Sequence, residues 1–278
     1  MKNFDNKVAA ITGAGSGIGQ QLAILLAKQG CHLSLSDINE QGLAATVEQL
    51  KPYQVRVTTK RLNVADRDAV REWAEETVQN HGSVNMIFNN AGVALASTVE
   101  GASYEELEWI VNINFWGVVY GTKEFLPYIK QTQSGHVINI SSLFGLTAQP
   151  SQSAYNATKF AVRGFTESLR QELDLQQCGV SALCVHPGGI RTNIAKAARS
   201  NQSLGSLGMN PEKSIASFDK LLRTPPEEAA QQILDAVQKD KRRLLIGSDA
   251  KAIDLMQRVL PTGYQKITKF MMGLGKKL

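Results

Sequence analysis

Near the amino end the chain reads Lys7-Val8-Ala9-Ala10-Ile11-Thr12-Gly13-Ala14-Gly15-Ser16-Gly17-Ile18-Gly19. Residues 7–12 are mostly apolar and predict a buried strand, and a helical pattern follows from Gln20 to about Gln29. Glycines between the two allow a tight turn and a close approach of the backbone to a ligand, while free N–H groups at a helix start favour negative charge. The stretch therefore predicts a strand, a phosphate-binding turn and a helix, as at the start of a dinucleotide-binding fold.

The glycine spacing narrows the kind of ligand. It is Gly13-x-x-x-Gly17-x-Gly19, and it lacks the Gly-Lys-Ser/Thr of a nucleoside-triphosphate loop, which argues against ATP or GTP chemistry. An ordinary tight turn is the alternative, but the position after an apolar strand favours a phosphate site. The expected pyrophosphate contacts are Gly13, Ser16, Gly17, Ile18 and Gly19.

Apolar runs alternate with helical patterns along the chain. Strands are predicted near 7–12, 31–36, 54–62, 84–89, 135–140, 180–186 and 243–246. This alternation predicts an α/β fold, a single Rossmann-like, doubly wound parallel sheet of about seven strands with helices on both faces. No linker divides the chain, so we expect one domain over 1–248 and an extension over 249–278.

Asp37 follows the predicted strand 31–36, eighteen residues after Gly19. A carboxylate at this point accepts hydrogen bonds from the adenosine ribose hydroxyls and repels a 2′-phosphate. Its neighbours Ser16 and Ile38 offer no compensating positive charge. The sequence therefore predicts NAD(H) over NADP(H), with a helix N-cap as the alternative role for Asp37.

A second pattern joins Tyr155 and Lys159, with Ser142 upstream. If 153–176 is helical, as its apolar spacing indicates, a step of four residues places both side chains on one face. A nearby ammonium lowers the pKa of a phenol, and such a tyrosine can exchange a proton with a substrate oxygen. Taken alone, the pair is also compatible with two surface side chains.

Together these motifs resemble the short-chain dehydrogenase/reductase family over roughly residues 5–248. The matching pieces are Thr12-Gly13-x-x-x-Gly17-x-Gly19, Asn89-Asn90-Ala91-Gly92, Asn114-Phe115-Trp116-Gly117, Ser142, Tyr155-x-x-x-Lys159 and Pro187-Gly188. The resemblance implies that the catalytic residues are Asn114, Ser142, Tyr155 and Lys159. The interval of thirteen residues to Tyr155 selects Ser142 over Ser141.

The same resemblance assigns a role to each catalytic side chain. Ser142 would donate a hydrogen bond to the substrate oxygen, and Tyr155 would exchange its proton while the nicotinamide exchanges a hydride. Lys159 would hold the nicotinamide ribose and bias Tyr155. Asn114 would support a water that relays protons from Lys159, or would be a polar helix residue bonded to backbone.

The family also implies further cofactor contacts. Asn90, Ala91 and Gly92 would pass beneath the adenosine half, unless they form only a strand-end turn. At the nicotinamide end the expected contacts are Pro187, Gly188, Ile190 and Thr192. Relatives usually carry aspartate at the adenine edge, whereas this chain has Asn63-Val64, whose amide oxygen can still accept a hydrogen bond.

A long segment at about 189–224 is expected to be a substrate lid. It is rich in Ser, Asn and Gly but contains apolar residues, namely Ile190, Ile194, Leu204, Leu207, Met209, Ile215 and Phe218. Further apolar residues, Leu95, Leu143, Phe144 and Leu146, lie near the motifs. This composition predicts a hydrophobic substrate, a secondary alcohol or its ketone.

The net charge of +5 is concentrated in the C-terminal extension, where six basic and two acidic residues give +4. The nearly neutral remainder argues against a nucleic-acid surface. The extension can form an amphipathic helix with one apolar face, made of Tyr264, Ile267, Phe270, Met271 and Leu274. It would either dock on protein or lie on an anionic membrane as a peripheral contact.

Other features limit compartment and assembly. Cys31, Cys178 and Cys184 have no Cys-x-x-Cys spacing, so the sequence predicts neither disulfides nor a metal site. No signal peptide or membrane-spanning run is apparent, and we expect a cytoplasmic protein, with membrane association through the extension as an alternative. The predicted helix 153–176 carries Phe160, Phe165 and Leu169 away from the site, for core packing or for a homodimer or homotetramer face.

The sequence therefore predicts an NAD(H)-dependent oxidoreductase that interconverts an alcohol and its ketone or aldehyde. One alternative is an NADP(H)-dependent 3-ketoacyl thioester reductase, which Asp37 and the basic extension disfavour. Another is a non-catalytic nucleotide-binding redox sensor, which intact Ser142, Tyr155 and Lys159 disfavour.

Overall fold

The computed structural model describes residues 1–194, 197–209 and 222–274, with side chains up to residue 270. Its strands are β1 Val8–Thr12, β2 His32–Asp37, β3 Val57–Arg61, β4 Met86–Asn89, β5 Leu95–Ala96, β6 Gly135–Ile140, β7 Val180–Pro187, β8 Arg199–Ser200 and β9 Arg243–Ile246. Seven of them form a parallel sheet in the order β3-β2-β1-β4-β6-β7-β9, and β5 pairs with β8. The predicted doubly wound sheet is confirmed.

Helices connect the strands. They are α1 Gly17–Ala27, α2 Glu40–Leu50, α3 Arg67–His81, α4 Tyr104–Val111, α5 Gly117–Gln131, α6 Ser153–Gln176, α7 Pro226–Gln238, α8 Ser248–Val259 and α9 Tyr264–Leu274. A π-helical turn, Asn112–Trp116, joins α4 to α5, and 3₁₀ turns span Leu143–Gly145 and Gln202–Leu207. The helix predicted over 153–176 matches α6.

The sheet is buried on both faces, as its apolar strands require. Side chains of a strand alternate between faces. In β1, Ala9 and Ile11 belong to the core under α1 and α7, whereas Val8 and Ala10 belong to the core under α3, α5 and α6. All five residues of β1 are buried, so this strand is the centre of both cores.

The chain order reverses beside β1. After β3, the chain crosses to the other side of β1 and adds β4, so β2 and β4 flank β1. In such a sheet the connections after β1 and β4 diverge, which opens a crevice at the carboxyl ends of the strands. The predicted ligand-binding motifs all follow strands that end at this edge.

The C-terminal extension forms two helices, and the residues expected to share one helical face lie in the second of them, α9. The chain turns between α8 and α9, a sequence that includes Pro261 and Gly263. Tyr264 is buried, and its hydroxyl accepts a hydrogen bond of 3.2 Å from the Ala148 N–H, so the first turn of α9 docks on the body. Ile267 and Phe270 remain 37% and 67% exposed.

Some expectations fall outside the described residues, namely those on Ile215, Phe218 and the side chains of Met271 and Leu274. Within the described part, Leu204 of the expected lid is buried. No described helix combines the length and apolarity that crossing a membrane demands.

Candidate active site

The glycine turn leaves room for a ligand at the start of α1. Gly13 and Gly17 have φ of +66° and +55°, which side-chain-bearing residues rarely adopt. A Cβ on Gly19 would lie 2.2 Å from the Gly13 carbonyl oxygen, so the turn packs against its own helix. Ser16 precedes α1 and makes no side-chain capping bond. The first N–H groups of α1 can therefore receive an anion.

Thr12 joins the glycine turn to the Asn-Ala-Gly segment, a role that sequence reasoning missed. Its hydroxyl oxygen accepts hydrogen bonds from the N–H groups of Asn90 and Ala91, at 2.9 and 3.0 Å, and donates to the Phe88 carbonyl at 3.3 Å. The Asn90 amide donates to the carbonyls of Thr12 and Gly13 at 2.9 and 3.2 Å. The two segments thus form one wall of the crevice.

Asp37 is the last residue of β2, and its carboxylate is held at the glycine turn. One oxygen accepts from the Gly15 N–H and the other from the Asn39 N–H, both at 2.8 Å. Asn39, not Asp37, is the N-cap of α2, with its oxygen accepting from Gly42 at 3.1 Å. Arg61 is the register partner of Asp37 on β3 and is exposed.

Asn63 and Val64 lie just beyond β3. The Asn63 amide oxygen accepts from the Ala65 N–H at 3.1 Å, and the residue is exposed. Val64 is buried, and its side chain reaches within 2.8 Å of the position that a Cβ on Gly117 would occupy. Asn63 therefore stands open to solvent, while Val64 packs against the start of α5.

Tyr155 and Lys159 share one face of α6, as their spacing predicts. They are only 9% and 3% exposed, so they are not two surface side chains. The Lys159 ammonium lies 5.6 Å from the centroid of the Tyr155 ring. It donates a hydrogen bond of 3.0 Å to the carbonyl oxygen of Ile140, the last residue of β6.

Burial dominates the electrostatics of this pair. It raises the pKa of Tyr155 to about 12, against a smaller lowering by the nearby Ser142 hydroxyl. Burial also lowers the pKa of Lys159 to about 8. The expectation that Lys159 draws the tyrosine pKa downward is therefore wrong for this structure, because the main effect is loss of hydration on burial, which disfavours the phenolate.

Ser142 follows β6 and faces Tyr155, whereas its neighbour turns the other way. The Ser142 side-chain oxygen accepts from the Phe144 N–H at 3.1 Å, and the same hydroxyl lies near enough to Tyr155 to lower the pKa of the phenol. The hydroxyl of Ser141 instead donates to the Lys159 carbonyl at 2.8 Å. Of the two serines, Ser142 is the one available to a substrate beside Tyr155.

Asn114 lies in the π-helical turn and is fully buried. π-turns are frequent at functional sites. Its amide exchanges two hydrogen bonds with the backbone of Val93, at 2.8 and 2.9 Å, and donates to Thr158 at 3.3 Å. A Cβ on Gly92 would lie 3.2 Å from the Asn114 oxygen and 3.5 Å from the Lys159 ammonium. Asn114 thus fixes the segment beside Lys159, and the proton relay stays a prediction.

The segment after β7 returns over the glycine turn. The Thr192 methyl group lies 3.1 Å from where a Cβ on Gly17 would stand, whereas Ile190 is buried in the core. The Gly189 N–H donates to Asp249 at 2.7 Å, and a Cβ on Gly188 would lie 2.2 Å from the same carboxylate. The contact of Asp249 with this segment was not predicted, because the sequence around Asp249 indicates only an exposed extension.

An apolar wall stands beside Tyr155. Leu95 and Ile110 are buried with it in one cluster, and the Phe144 ring packs edge-on at 6.1 Å. The cluster also includes Trp109, whose ring lies 3.7 Å from the Arg199 guanidinium carbon. β8 of the expected lid is thereby tied to the wall. Of the other expected pocket residues, Leu146 is buried and Leu143 begins the 3₁₀ turn.

The comparison with protein families agrees with this geometry. The model of the short chain dehydrogenase family matches residues 7–203. The chain belongs to the short-chain dehydrogenase/reductase family. Members of this family are oxidoreductases acting on CH–OH groups with a nicotinamide dinucleotide. In the described part of the chain, no cluster of three His, Cys, Asp or Glu residues could hold a metal ion.

Three relatives show how far this similarity to the short-chain dehydrogenases extends. A Mycobacterium tuberculosis protein named as an oxidoreductase, SadH, is 44% identical over 268 residues, covering 96% of this chain and 95% of its own. The 3-oxoacyl-[acyl-carrier-protein] reductase FabG of Thermotoga maritima is 32% identical, covering 83% and 90%. A Burkholderia phymatum family member, in a crystal structure in complex with NAD, has a TM-score of 0.87 at 28% identity, covering 94% and 95%.

Proposed function

We propose that this short-chain dehydrogenase is an NAD(H)-dependent oxidoreductase that interconverts a hydrophobic, secondary alcohol and its ketone or aldehyde. The observation that carries the proposal is the burial of Tyr155 and Lys159 together, next to a partly exposed Ser142 and a glycine-lined crevice. Burying an ammonium and a phenol costs stability, and groups with shifted pKa values concentrate at functional sites.

The residues of the crevice fit a nicotinamide dinucleotide. The turn from Gly13 to Gly19 would hold the pyrophosphate, Asn90 and its neighbours would line the adenosine half, and Thr192 would lie toward the nicotinamide. Bound there, the cofactor supplies hydride transfer to or from the substrate carbon. Residues that could hold the two halves of the cofactor therefore lie on both sides of the crevice beside β1.

Asp37 supports NAD(H) over NADP(H). Its two oxygens are already oriented by the N–H groups of Gly15 and Asn39, so the charge is fixed where a ribose would lie. A 2′-phosphate brought to this carboxylate would meet like-charge repulsion. Arg61, the register partner of Asp37 on the neighbouring strand, is exposed to solvent.

The protein side of the reaction is proton handling and orientation. Tyr155 would donate its proton to the ketone oxygen during reduction and accept it from the alcohol during oxidation. The Ser142 hydroxyl would hold the same oxygen by a hydrogen bond. Lys159, with its pKa lowered to about 8, is the charged neighbour that would compensate a developing phenolate.

The substrate class follows from the wall beside Tyr155. Phe144 is partly exposed next to the tyrosine, and the buried side chains of Leu95 and Ile110 belong to the same cluster. An apolar substituent on the carbinol carbon would be removed from water against this wall, which stabilises its complex by about 25 cal/mol per Å² buried. A hydrophobic secondary alcohol fits better than a small polar one.

Two rival functions remain to be separated. The 32% identity to an acyl-carrier-protein reductase keeps a thioester reductase as the alternative enzyme, whereas identity to SadH is higher at 44%. A non-catalytic redox sensor would need no buried Tyr155 and Lys159 pair. The position of Asp37 and the apolar wall favour the alcohol dehydrogenase over both.

A panel of substrates tests the proposal. Medium-chain and alicyclic secondary alcohols are oxidised with NAD or NADP, and the matching ketones and a 3-ketoacyl thioester are reduced, all followed at 340 nm. We expect turnover of hydrophobic alcohols with NAD. Preference for NADP(H) and the thioester would support the rival enzyme, and cofactor binding without turnover of any substrate would support the sensor.

We also propose that the protein assembles as a homodimer or homotetramer through α6. Phe160 is 39% exposed and Trp116, just before α5, is 41% exposed. Phe165 packs edge-on against Phe115 at 6.3 Å, while Leu169 belongs to the core instead of the surface. Sedimentation equilibrium of the wild type and of Phe160→Glu would test this, with dissociation expected for the variant.

For the extension we propose docking on protein rather than on lipid, on the strength of buried Tyr264. Deletion of residues 262–278 should weaken assembly without changing sedimentation with anionic vesicles. Loss of vesicle binding alone would favour the membrane alternative.

A further inference from the structure

His186 is a buried histidine to which the proposed reaction assigns no role. It lies in β7 directly before Pro187, and none of its surface is exposed. Its Nδ1 atom is 3.0 Å from the carbonyl oxygen of Ser142. Its Nε2 atom is 3.4 Å from the thiol sulfur of Cys184. Both ring nitrogens therefore have one partner each.

The chemistry of these partners determines where the ring proton lies. A carbonyl oxygen only accepts, so Nδ1 carries the hydrogen and donates it to Ser142. Nε2 of a neutral ring then accepts from the Cys184 thiol. Burial lowers the pKa of His186 to about 4 and raises that of Cys184 to about 12, so neither group ionises near neutral pH. The direction of both hydrogen bonds is thus constant.

The accepting carbonyl belongs to the serine that is proposed to bind the substrate oxygen. The same oxygen also accepts from the Gly145 N–H at 2.9 Å, within the 3₁₀ turn. The peptide that follows Ser142 is therefore held from two sides, by its own turn and by β7. Without the bond from β7, this carbonyl would keep only the Gly145 N–H of its own turn as a partner, and the link from β7 to the serine would be lost.

We propose that His186 is a positioning residue for Ser142, acting through the Ser142 carbonyl and touching neither substrate nor cofactor. Because Pro187 and Gly188 follow at once, the same strand end aligns the serine with the segment expected at the nicotinamide. The inference deepens the proposed alcohol oxidation and rests on it.

Two variants separate the donated hydrogen bond from the volume of the ring. His186→Leu has a similar size and no donor, whereas His186→Asn keeps an amide nitrogen near the Nδ1 position. We expect kcat to fall about tenfold to a hundredfold in H186L, as for a small misplacement of a reacting group. NADH affinity should not change, and H186N should recover most of kcat. Equal losses in both variants would overturn the proposal.

A double-mutant cycle with Ser142→Ala tests whether the effect passes through the serine. If His186 acts by orienting the Ser142 hydroxyl, H186L costs nothing further once that hydroxyl is absent. We therefore expect the same kcat for S142A and for S142A/H186L. Losses that multiply would show a general structural role and would contradict the inference.

A measurement on the wild-type protein needs no turnover. Long-range ¹H–¹⁵N spectra of the His186 ring, assigned by comparison with H186N, should show the Nδ1-protonated neutral tautomer from pH 6 to 9. An Nε2-protonated ring or an imidazolium would overturn the proposal. Failure of the proposed function is distinct, because the wild type would then turn over no alcohol in the substrate panel.

Discussion

Lys159 donates a hydrogen bond of 3.0 Å to the carbonyl of Ile140, so the cation of helix α6 is tied to the end of strand β6. This contact crosses from the helix that carries Tyr155 to the strand that leads into Ser142. It fixes the relative position of the two substrate-facing hydroxyls. The cost is a buried ammonium with a lowered pKa.

Lys159→Met should therefore stabilise the protein at pH 7 while abolishing turnover. The buried ammonium penalises folding wherever both states are protonated, and the variant removes this penalty but leaves the Ile140 carbonyl without a donor. We expect a net gain of about 1 kcal/mol in the free energy of unfolding, measured by urea denaturation.

The stability difference should also depend on pH. The folded pKa of about 8 lies below the ordinary lysine value of 10.5, so the penalty is complete below pH 8 and disappears as pH rises toward 10.5. The gain from K159M should shrink over that interval. Lys123→Met, at an exposed position of α5, serves as the control, and a K159M variant less stable than the wild type at pH 7 contradicts the argument.

Asp37→Asn should reduce the preference for NAD over NADP. The change removes a charge that favours ribose hydroxyls and repels a phosphate, worth about 1.5–3 kcal/mol for hydrogen bonds to a charged group. We expect the ratio of kcat/KM values for the two cofactors to fall about ten- to a hundredfold. Asp68→Asn, an exposed carboxylate of α3, should leave it unchanged. If the ratio of kcat/KM values is the same in D37N as in the wild type, Asp37 does not determine the preference for NAD.

Gly19→Ala should disrupt cofactor binding through packing alone. The added Cβ would meet the Gly13 carbonyl at 2.2 Å and the Asn90 amide at 2.6 Å, so the turn must open. Such overpacking costs about 1–3 kcal/mol. NADH fluorescence titration should show affinity at least tenfold weaker. At Gly164, also in a helix, a Cβ meets no atom within 4 Å, and Gly164→Ala should bind NADH normally.

Acid should destabilise the protein between about pH 6.5 and 4. His136 and His186 are buried, and burial is the main cause that lowers both pKa values to about 4. In this interval the unfolded chain binds protons that the folded chain does not. As the pH is lowered, the free energy of unfolding therefore decreases by up to about 1.4 kcal/mol per pH unit for each histidine.

His136→Gln should lose less free energy of unfolding than the wild type as the pH is lowered from about 6.5 to 4. Urea unfolding at pH 7.5, 6.5, 5.5 and 4.5 measures this difference. Asp240 lies 3.4 Å from His136 Nε2 and opposes the shift only in part. Parallel curves for the two proteins would mean that His136 does not contribute.

Sequence patterns predict this fold well because they are local and periodic. The central strands are apolar on both faces, and the bounds of α6 follow from the spacing of its buried residues, such as Val162, Leu169 and Leu173. The glycine turn and the Tyr155 and Lys159 pair are also local patterns. Family membership could therefore be predicted from the amino-acid sequence alone.

What could not be predicted depends on contacts between distant segments. Thr12 and Asp249 bind backbone groups 78 and 60 residues away. The lid strand β8 pairs with β5 through only two residues, too few for a periodic signal. The pKa of Tyr155 was predicted to be lowered, whereas it is raised, because burial is a property of the folded chain. Leu169 lies on the core side of α6, which is one of the two roles expected for it.

The most direct test of the central claim is turnover by Tyr155→Phe with a hydrophobic secondary alcohol and NAD, with NADH binding measured on the same sample. The ring is retained and only the hydroxyl is lost, so the fold and the glycine-lined crevice should persist. We predict that kcat falls by at least about 10²-fold, the usual contribution of a positioned acid or base, while NADH affinity is unchanged. Turnover close to that of the wild type would contradict the assignment of Tyr155 as the proton donor and acceptor.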